Sequence, residues 1–209
     1  MKLICISDTH NKHKQIPIPD GDVLIHAGDI TEGGTKREVV DFLEWFSAQP
    51  HEHKIFIAGN HDFFFEKYNE EEIQKIIPEN VNYLKESGIN LNGIKFWGSP
   101  VTPGDGTWAF NQKQTQEIDS HWEQIPEDTQ VLISHTPPYK IKDVLNNGKH
   151  IGCASLLKTI QNREIEFHIF GHVHDSYGIT TVAGTKFINA SCLDNKYRSL
   201  HPPLALDIN

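Results

Sequence analysis

Long apolar runs are missing from this 209-residue chain. No stretch approaches the ~20 apolar residues that a membrane-crossing helix needs. The apolar start, Met1 to Ile6, stops after a few residues with no small-residue cleavage pattern following. It reads as a first core strand rather than a leader. Cysteine is scarce too: three residues in unrelated contexts and no CxxC pair, which excludes a disulfide framework and a thiolate-rich structural zinc site. A reducing cytoplasm is the expected home. Basic residues are outnumbered, 19 to 28, giving a net charge of −9, and they form no run. That argues against an extended nucleic-acid partner, which needs positive surface to displace counterions. No internal repeat, low-complexity tract or linker is present.

What remains is an ordinary globular composition with an excess of histidine, 13 residues, long enough for one well-buried domain spanning 1–209. Short β-branched segments at Leu3 to Ile6, Val23 to Ala27, Lys54 to Ala58, Gln130 to Ser134 and Glu166 to Phe170 read as buried strands. Helical spacing is expected over Thr35 to Ala48, Glu70 to Ile77, Gln114 to Ile125 and Ala154 to Gln161. Short strands with turn signals fill Asn80 to Phe110, and strand and hairpin fill the last forty residues. Helix between strands implies parallel β-α-β units. The predicted class is α/β, with two mixed sheets flanked by helices.

Five polar patches follow these apolar segments: Asp8-Thr9-His10, Gly28-Asp29, Gly59-Asn60-His61-Asp62, Ser134-His135 and Gly171-His172-Val173-His174. Each falls at the end of a predicted buried strand, so residues far apart in sequence can meet at one sheet edge. On an extended segment, positions i and i+2 share a side. Asp8 with His10, and His172 with His174, are therefore expected to reach one small volume. A single Asp-x-His arises by chance; five ligand-competent patches in one context do not. Imidazole and oxygen donors without thiolate suit Mn, Fe, Zn, Co, Ni or Mg, with Mn favoured. Two divalent ions bring about +4, and Asp8 and Asp29 return −2, which leaves a site attractive to phosphate.

The order Asp-x-His, Gly-Asp, Gly-Asn-His-Asp, His and Gly-His-x-His resembles the calcineurin-like metallophosphoesterase superfamily along nearly the whole chain. Gly98-Ser99-Pro100, Ser134 to Pro138, Gly152-Cys153 and Phe187 to Ser191 resemble its metallophosphoesterase-domain (MPPED) branch, which is associated with cyclic-nucleotide phosphodiesterase activity. The resemblance implies a four-layer α/β/β/α sandwich. It also implies one metal on Asp8, His10 and His174, a second on Asn60, His135 and His172, and Asp29 bridging. His61 resembles the superfamily's catalytic histidine, which protonates the leaving oxygen. The expected nucleophile is a hydroxide bridging the two ions, so no protein nucleophile is required.

Glu32 and Asp62 are the candidates to orient His61, with Glu32 favoured because it stands three residues after Asp29, where the resemblance to the superfamily's protein phosphatases implies a partner for that histidine. Protein phosphatases of the superfamily carry a phosphate-gripping arginine at the next position, where this chain has Gly33. That absence favours a monoanionic phosphodiester over a monoester dianion. Trp108, Tyr139 and His150 are candidate substrate contacts. His26 reads as a core histidine, and Phe63-Phe64-Phe65 as a plug fixing the His61 loop. The expected function is hydrolysis of small phosphodiesters, with cyclic nucleotides the favoured substrates. The alternatives are a broad phosphomonoesterase or protein phosphatase, and a non-catalytic metal-binding scaffold.

Overall fold

The computed structural model of the protein describes residues 1–198 and 201–208. In chain order its elements begin with β1 (Lys2–Ile6), β2 (Val23–Ala27), α1 (Lys36–Ser47) and β3 (His53–Ile57). The short α2 (Phe64–Lys67), α3 (Glu70–Gln74) and β4 (Asn82–Tyr83) follow. Next come β5 (Ser87–Leu91), β6 (Ile94–Ser99), β7 (Thr102–Pro103), β8 (Asn111–Gln112) and α4 (Gln116–Glu123). The remainder is β9 (Val131–Ser134), α5 (Ala154–Gln161), β10 (Phe167–Phe170), β11 (Gly178–Val182), β12 (Thr185–Asn189) and β13 (Leu204–Asp207).

Two sheets carry the architecture. The first has the order β13-β1-β2-β3-β4 and is parallel except for β13 against β1. The second has the order β11-β12-β10-β9-β6-β5, with parallel β12, β10, β9 and β6 at its centre. Side-chain alternation sorts the strand residues into layers. Leu3 and Cys5 of β1 meet Ile133, Ile169 and Ile188 of the other sheet in the inter-sheet core. Ile4 and Ile6, pointing the other way, pack with Val39, Phe42 and Phe46 of α1. On the far face of the second sheet, Leu132, Phe170 and Phe187 cluster with Ile118 and Trp122 of α4 and Leu156 and Ile160 of α5. The result is helix, sheet, sheet, helix, the four layers expected.

Capping explains where α1 begins. Thr35 accepts from the Glu38 N–H, and the Glu38 carboxylate accepts from the Thr35 N–H at 2.8 Å, a reciprocal capping box. The same carboxylate takes the Asn11 amide at 2.6 Å and the Gly33 N–H at 3.0 Å. Helix start and ligand-bearing loops are thereby tied together. Only partly buried, the Glu38 carboxyl is pulled down to about 2 by these donors despite its desolvation. α3 is shorter than its sequence pattern, ending at Gln74; Ile76 makes a tighter i−3 bond to Ile73, and Pro78 disfavours helix at the residue before it. Of the three-phenylalanine run, Phe64 and Phe65 are buried and open the unanticipated helix α2, while Phe63 is only partly covered.

Candidate metal centre

The C-terminal ends of β1, β2, β3, β9 and β10 open toward one rim, and each is followed by one of the polar patches. A bridge between Ser7 and Ser191 joins the two sheets beside it. The chain does not stay extended past the strands, as i, i+2 alternation required. Asp8, His10, Asp29 and His172 instead have φ of 53°, 39°, 54° and 67°. This left-handed backbone costs roughly 1–3 kcal/mol per non-glycine residue and persists only where surroundings enforce it. Convergence here comes from turns held by hydrogen bonds. Asp8 N–H donates to the Gly28 carbonyl at 2.9 Å, and His10 N–H to the Asp29 carbonyl at 3.1 Å.

Both carboxylates are buried and fixed by the backbone. Asp8 accepts the His172 N–H at 3.0 Å on each oxygen and the Ser191 hydroxyl at 2.8 Å. Asp29 accepts the His61 N–H at 2.8 Å through one oxygen; its other oxygen lies 3.3 Å from His135 Nε2 and 3.7 Å from His10 Nε2. The glycines of the patches are required by this closeness. A Cβ at Gly59 would overlap the Asp29 carboxylate, and one at Gly171 the Asp8 carboxylate and Ser7 hydroxyl.

The imidazoles share a second device. Nδ1 of His10, His61, His135 and His174 faces the carbonyls of Thr31, Glu32, Ala27 and Asp194, at 3.1, 2.8, 2.9 and 3.1 Å. A carbonyl only accepts, so Nδ1 carries the hydrogen in each ring and Nε2 is the nitrogen left for a ligand. His10 Nε2 is buried with no hydrogen-bond partner. An orphan imidazole nitrogen beside a carboxylate is what a divalent-cation donor set provides, so these residues fit such an ion.

Ligand atoms of Asp8, His10 and His174 lie within 4.8 Å of one another, as do those of Asp8, Asp29 and His135, and of His10, Asp29 and His61. Asn60 Oδ1 is 3.1 Å from His135 Nε2, and the His172 ring centroid is 5.1 Å from that of His135. All seven expected ligands thus surround one volume, with the Asp29 carboxylate between the two halves.

Electrostatics follow from this packing. Burial opposes charge on both Asp8 and Asp29, yet the surrounding imidazoles hold both carboxyls below the usual range. Burial works against protonated His135 as well, but Asp29 and Asp8 outweigh it and lift the ring to about 9. His172 goes the other way, down to about 4, through burial and the charge of His135.

The neighbours of His61 differ from the sequence expectation in two respects. Its ring is oriented by the main-chain carbonyl of Glu32, not by the Glu32 carboxylate. Asp62 does not reach the ring either. Its oxygens accept from the N–H groups of Gly59, Thr31 and Ile30 at 2.8, 2.9 and 3.2 Å, and from the Thr31 hydroxyl at 2.6 Å. Asp62 staples the loops after β2 and β3 together; burial and the charge of Asp29 raise its carboxyl to about 6. A residue adjacent in sequence to a turn can serve the turn rather than the neighbouring side chain.

Trp108 is 45% exposed, its ring 4.6 Å from that of His61 and 6.1 Å from that of Phe63. It therefore stands at the mouth rather than packing between sheets. The rings of Tyr139 and His150 pair at 5.8 Å, and His150 Nδ1 bonds the buried Asp143 carboxylate at 2.6 Å; their segment bonds Asp175 and Ser176, which follow His174. His26 is the core residue expected, bonded to the Thr9 hydroxyl at 2.9 Å. Sequence reasoning missed Tyr197, whose ring lies 4.7 Å from His10 and 5.2 Å from His174. It also missed the carbonyl partners, which have no side-chain signature.

Residues 1–176 match the family model described as calcineurin-like phosphoesterase. The chain belongs to that family. Membership makes it a metal-dependent phosphoesterase. Human "Metallophosphoesterase domain-containing protein 1" is 36% identical over 230 residues, covering 99% of this chain and 71% of that protein. The "UPF0046 protein C25E10.12" of Caenorhabditis elegans is 39% identical over 228 residues, covering 100% of this chain and 81% of that protein. Among solved structures, TT1561 of Thermus thermophilus superposes with a TM-score of 0.63 at 12% identity, over 99% of this chain and 98% of that one, a likeness of fold. No described helix is long and apolar enough to cross a membrane.

Proposed function

We propose that this phosphoesterase uses two divalent ions, manganese by preference, to hydrolyse small phosphodiesters, with cyclic nucleotides the favoured substrates. Asp8, His10 and His174 would hold one ion, Asn60, His135 and His172 the other, and Asp29 would lie between them. When bound, a pair of divalent ions supplies Lewis acidity toward phosphate oxygens and an acidified water. The chain's own residues do the rest. The Glu32 carbonyl accepts from Nδ1–H of His61, so the proton that would pass to the leaving oxygen is the second one, carried on Nε2 of the doubly protonated ring. Asp62, bonded to four groups of the two ligand loops, positions Asp29 and Asn60 without touching substrate. Trp108, at the mouth beside His61, and Tyr139 and His150, on the loop after His135, are the candidate substrate contacts. The three free cysteines, all buried, support a cytoplasmic location. The pairing of β13 with β1 supports one domain across 1–209.

The observation that carries the diester preference lies at Gly33 and Gly34. Gly34 has φ of 66°, and a Cβ there would strike the Phe63 backbone. Gly33 has room but no side chain, so no cation grips a monoester dianion from this loop. The test is turnover by manganese-loaded protein of bis-p-nitrophenyl phosphate and of 2′,3′- and 3′,5′-cyclic nucleotides, against p-nitrophenyl phosphate. The diesters should be faster in kcat/KM; a clear monoester preference would sink the proposal.

A further inference from the structure

One feature of the mouth extends beyond the ligand set. The rings of Trp108, His61, His10 and Tyr197 form a continuous row, with successive centroids 4.6, 4.6 and 4.7 Å apart. His61 stands second in the row, so the two terminal aromatics flank it unequally. Trp108 touches His61 directly; Tyr197 is one ring further on, against His10 and His174.

Tyr197 is held there by a purpose-built turn. Its N–H donates to the Asp194 carbonyl at 2.9 Å, and the Asp194 carboxylate accepts the N–H groups of Lys196 and Arg198 at 2.9 and 2.8 Å. The Lys12 ammonium bonds the Tyr197 carbonyl, and His174 Nδ1 uses the carbonyl of Asp194. The residue adopts φ of 56°, a conformation that a bulky side chain occupies only at a cost. A turn that only oriented His174 would need no aromatic at that position. The ring itself therefore asks for a use, and it is only partly buried.

We infer that, for acyclic nucleoside phosphodiesters, whose phosphorus unlike that of a cyclic nucleotide carries two separate organic groups, Trp108 binds the leaving group and Tyr197 the retained, base-bearing group. The inference rests on the phosphodiesterase reading and deepens it. The assignment of sides follows from His61. A proton donor must adjoin the leaving oxygen, and Trp108 is the flat surface next to that donor. The retained substituent is then left for Tyr197, which follows His10 in the row and has no ring contact with Trp108's neighbour His61 among the described residues. Stacking suits a nucleobase of any identity, because every base presents a π-face. The substrate class is thus a nucleoside phosphodiester with a planar group on at least one side. Tyr197 acts as a specificity residue and Trp108 as its counterpart for the leaving group.

Two esters that share a leaving group separate these roles: thymidine 5′-(p-nitrophenyl phosphate) and methyl p-nitrophenyl phosphate. The manganese-loaded wild type should prefer the thymidine ester in kcat/KM. Tyr197→Ala should reduce that preference about tenfold, through the KM of the thymidine ester, read as the ratio of kcat/KM for the two esters in one preparation of known metal content. Tyr197→Phe should restore the preference, since it keeps the ring. Trp108→Ala should slow both esters alike. Should Tyr197→Ala prove unstable, Tyr197→Asn, which tolerates left-handed backbone, carries the same comparison. An unchanged ester ratio, whether both rates fall together or neither moves, overturns the inference and leaves the phosphodiesterase reading intact. A wild type that prefers p-nitrophenyl phosphate to both diesters removes the phosphodiesterase reading, and the inference with it.

Discussion

Two sets of buried histidines show how one residue type serves opposite ends. His26 on β2 and His168 on β10 are fully buried, and each bonds a single hydroxyl: Thr9 at 2.9 Å and Ser134 at 2.7 Å. Burial pushes both down to about 3, so they stay neutral. His135 is equally buried but sits just past the end of β9, where Asp29 and Asp8 lift it to about 9. Burial alone gives a neutral packing element. Burial beside converging carboxylates gives a group poised for positive charge, whether proton or cation. A few residues along the strand separate the two fates.

Breaking the charged set should produce the largest effect. Asp29→Ala removes the carboxylate between both halves, and should lower bound metal and bring diester turnover to background, as read by metal analysis and a bis-p-nitrophenyl phosphate assay. His61→Ala should cost about 10²–10⁴-fold in kcat while leaving metal content near the wild-type value. Equal activity in that variant would remove His61 from proton transfer.

Perturbing the neutral set should move stability and its pH dependence instead. The ordinary histidine value near 6.5 describes the unfolded chain, and His168 folded is held far below it. Its stabilising contribution is complete above pH ~6.5 and is lost as pH falls toward the folded value, because only the unfolded state takes up the proton. Between pH 7 and 5 one such group accounts for about 2 kcal/mol of lost stability. Denaturant unfolding of His168→Gln should show a correspondingly shallower acid loss, with its metal content intact. An acid dependence identical to that of the wild type would show that His168 is not the neutral group described.

The smallest expected shift comes from adding what the loop lacks. Gly33 has ordinary backbone and only the Glu38 carboxylate near its Cβ direction, at 3.5 Å. Gly33→Arg should raise the monoester-to-diester ratio of kcat/KM about tenfold. No change in that ratio would mean that the missing cation does not set the preference.

The layers and strand ends were legible because they rest on local pattern: β-branched runs, helical spacing between them, and polar patches after buried strands. The seven converging donors were legible because each carries its chemistry in its side chain. Extended alternation was the wrong reason for their convergence, since φ near +50° at Asp8 and Asp29 is imposed by tertiary hydrogen bonds. Sequence points to the Glu32 carboxylate rather than the carbonyl, because it names side chains and is silent about which main-chain group faces a ring. Tyr197, far from every metal motif, reaches the site only through the turn at Asp194.

The central claim is a two-ion centre that works on diesters. Its most direct test is titration of metal-free protein with Mn²⁺, following bound metal and bis-p-nitrophenyl phosphate turnover together. Two ions per chain, with activity appearing as the second binds, is the predicted result. Full activity with a single ion, or two bound ions with no diester turnover, would contradict it.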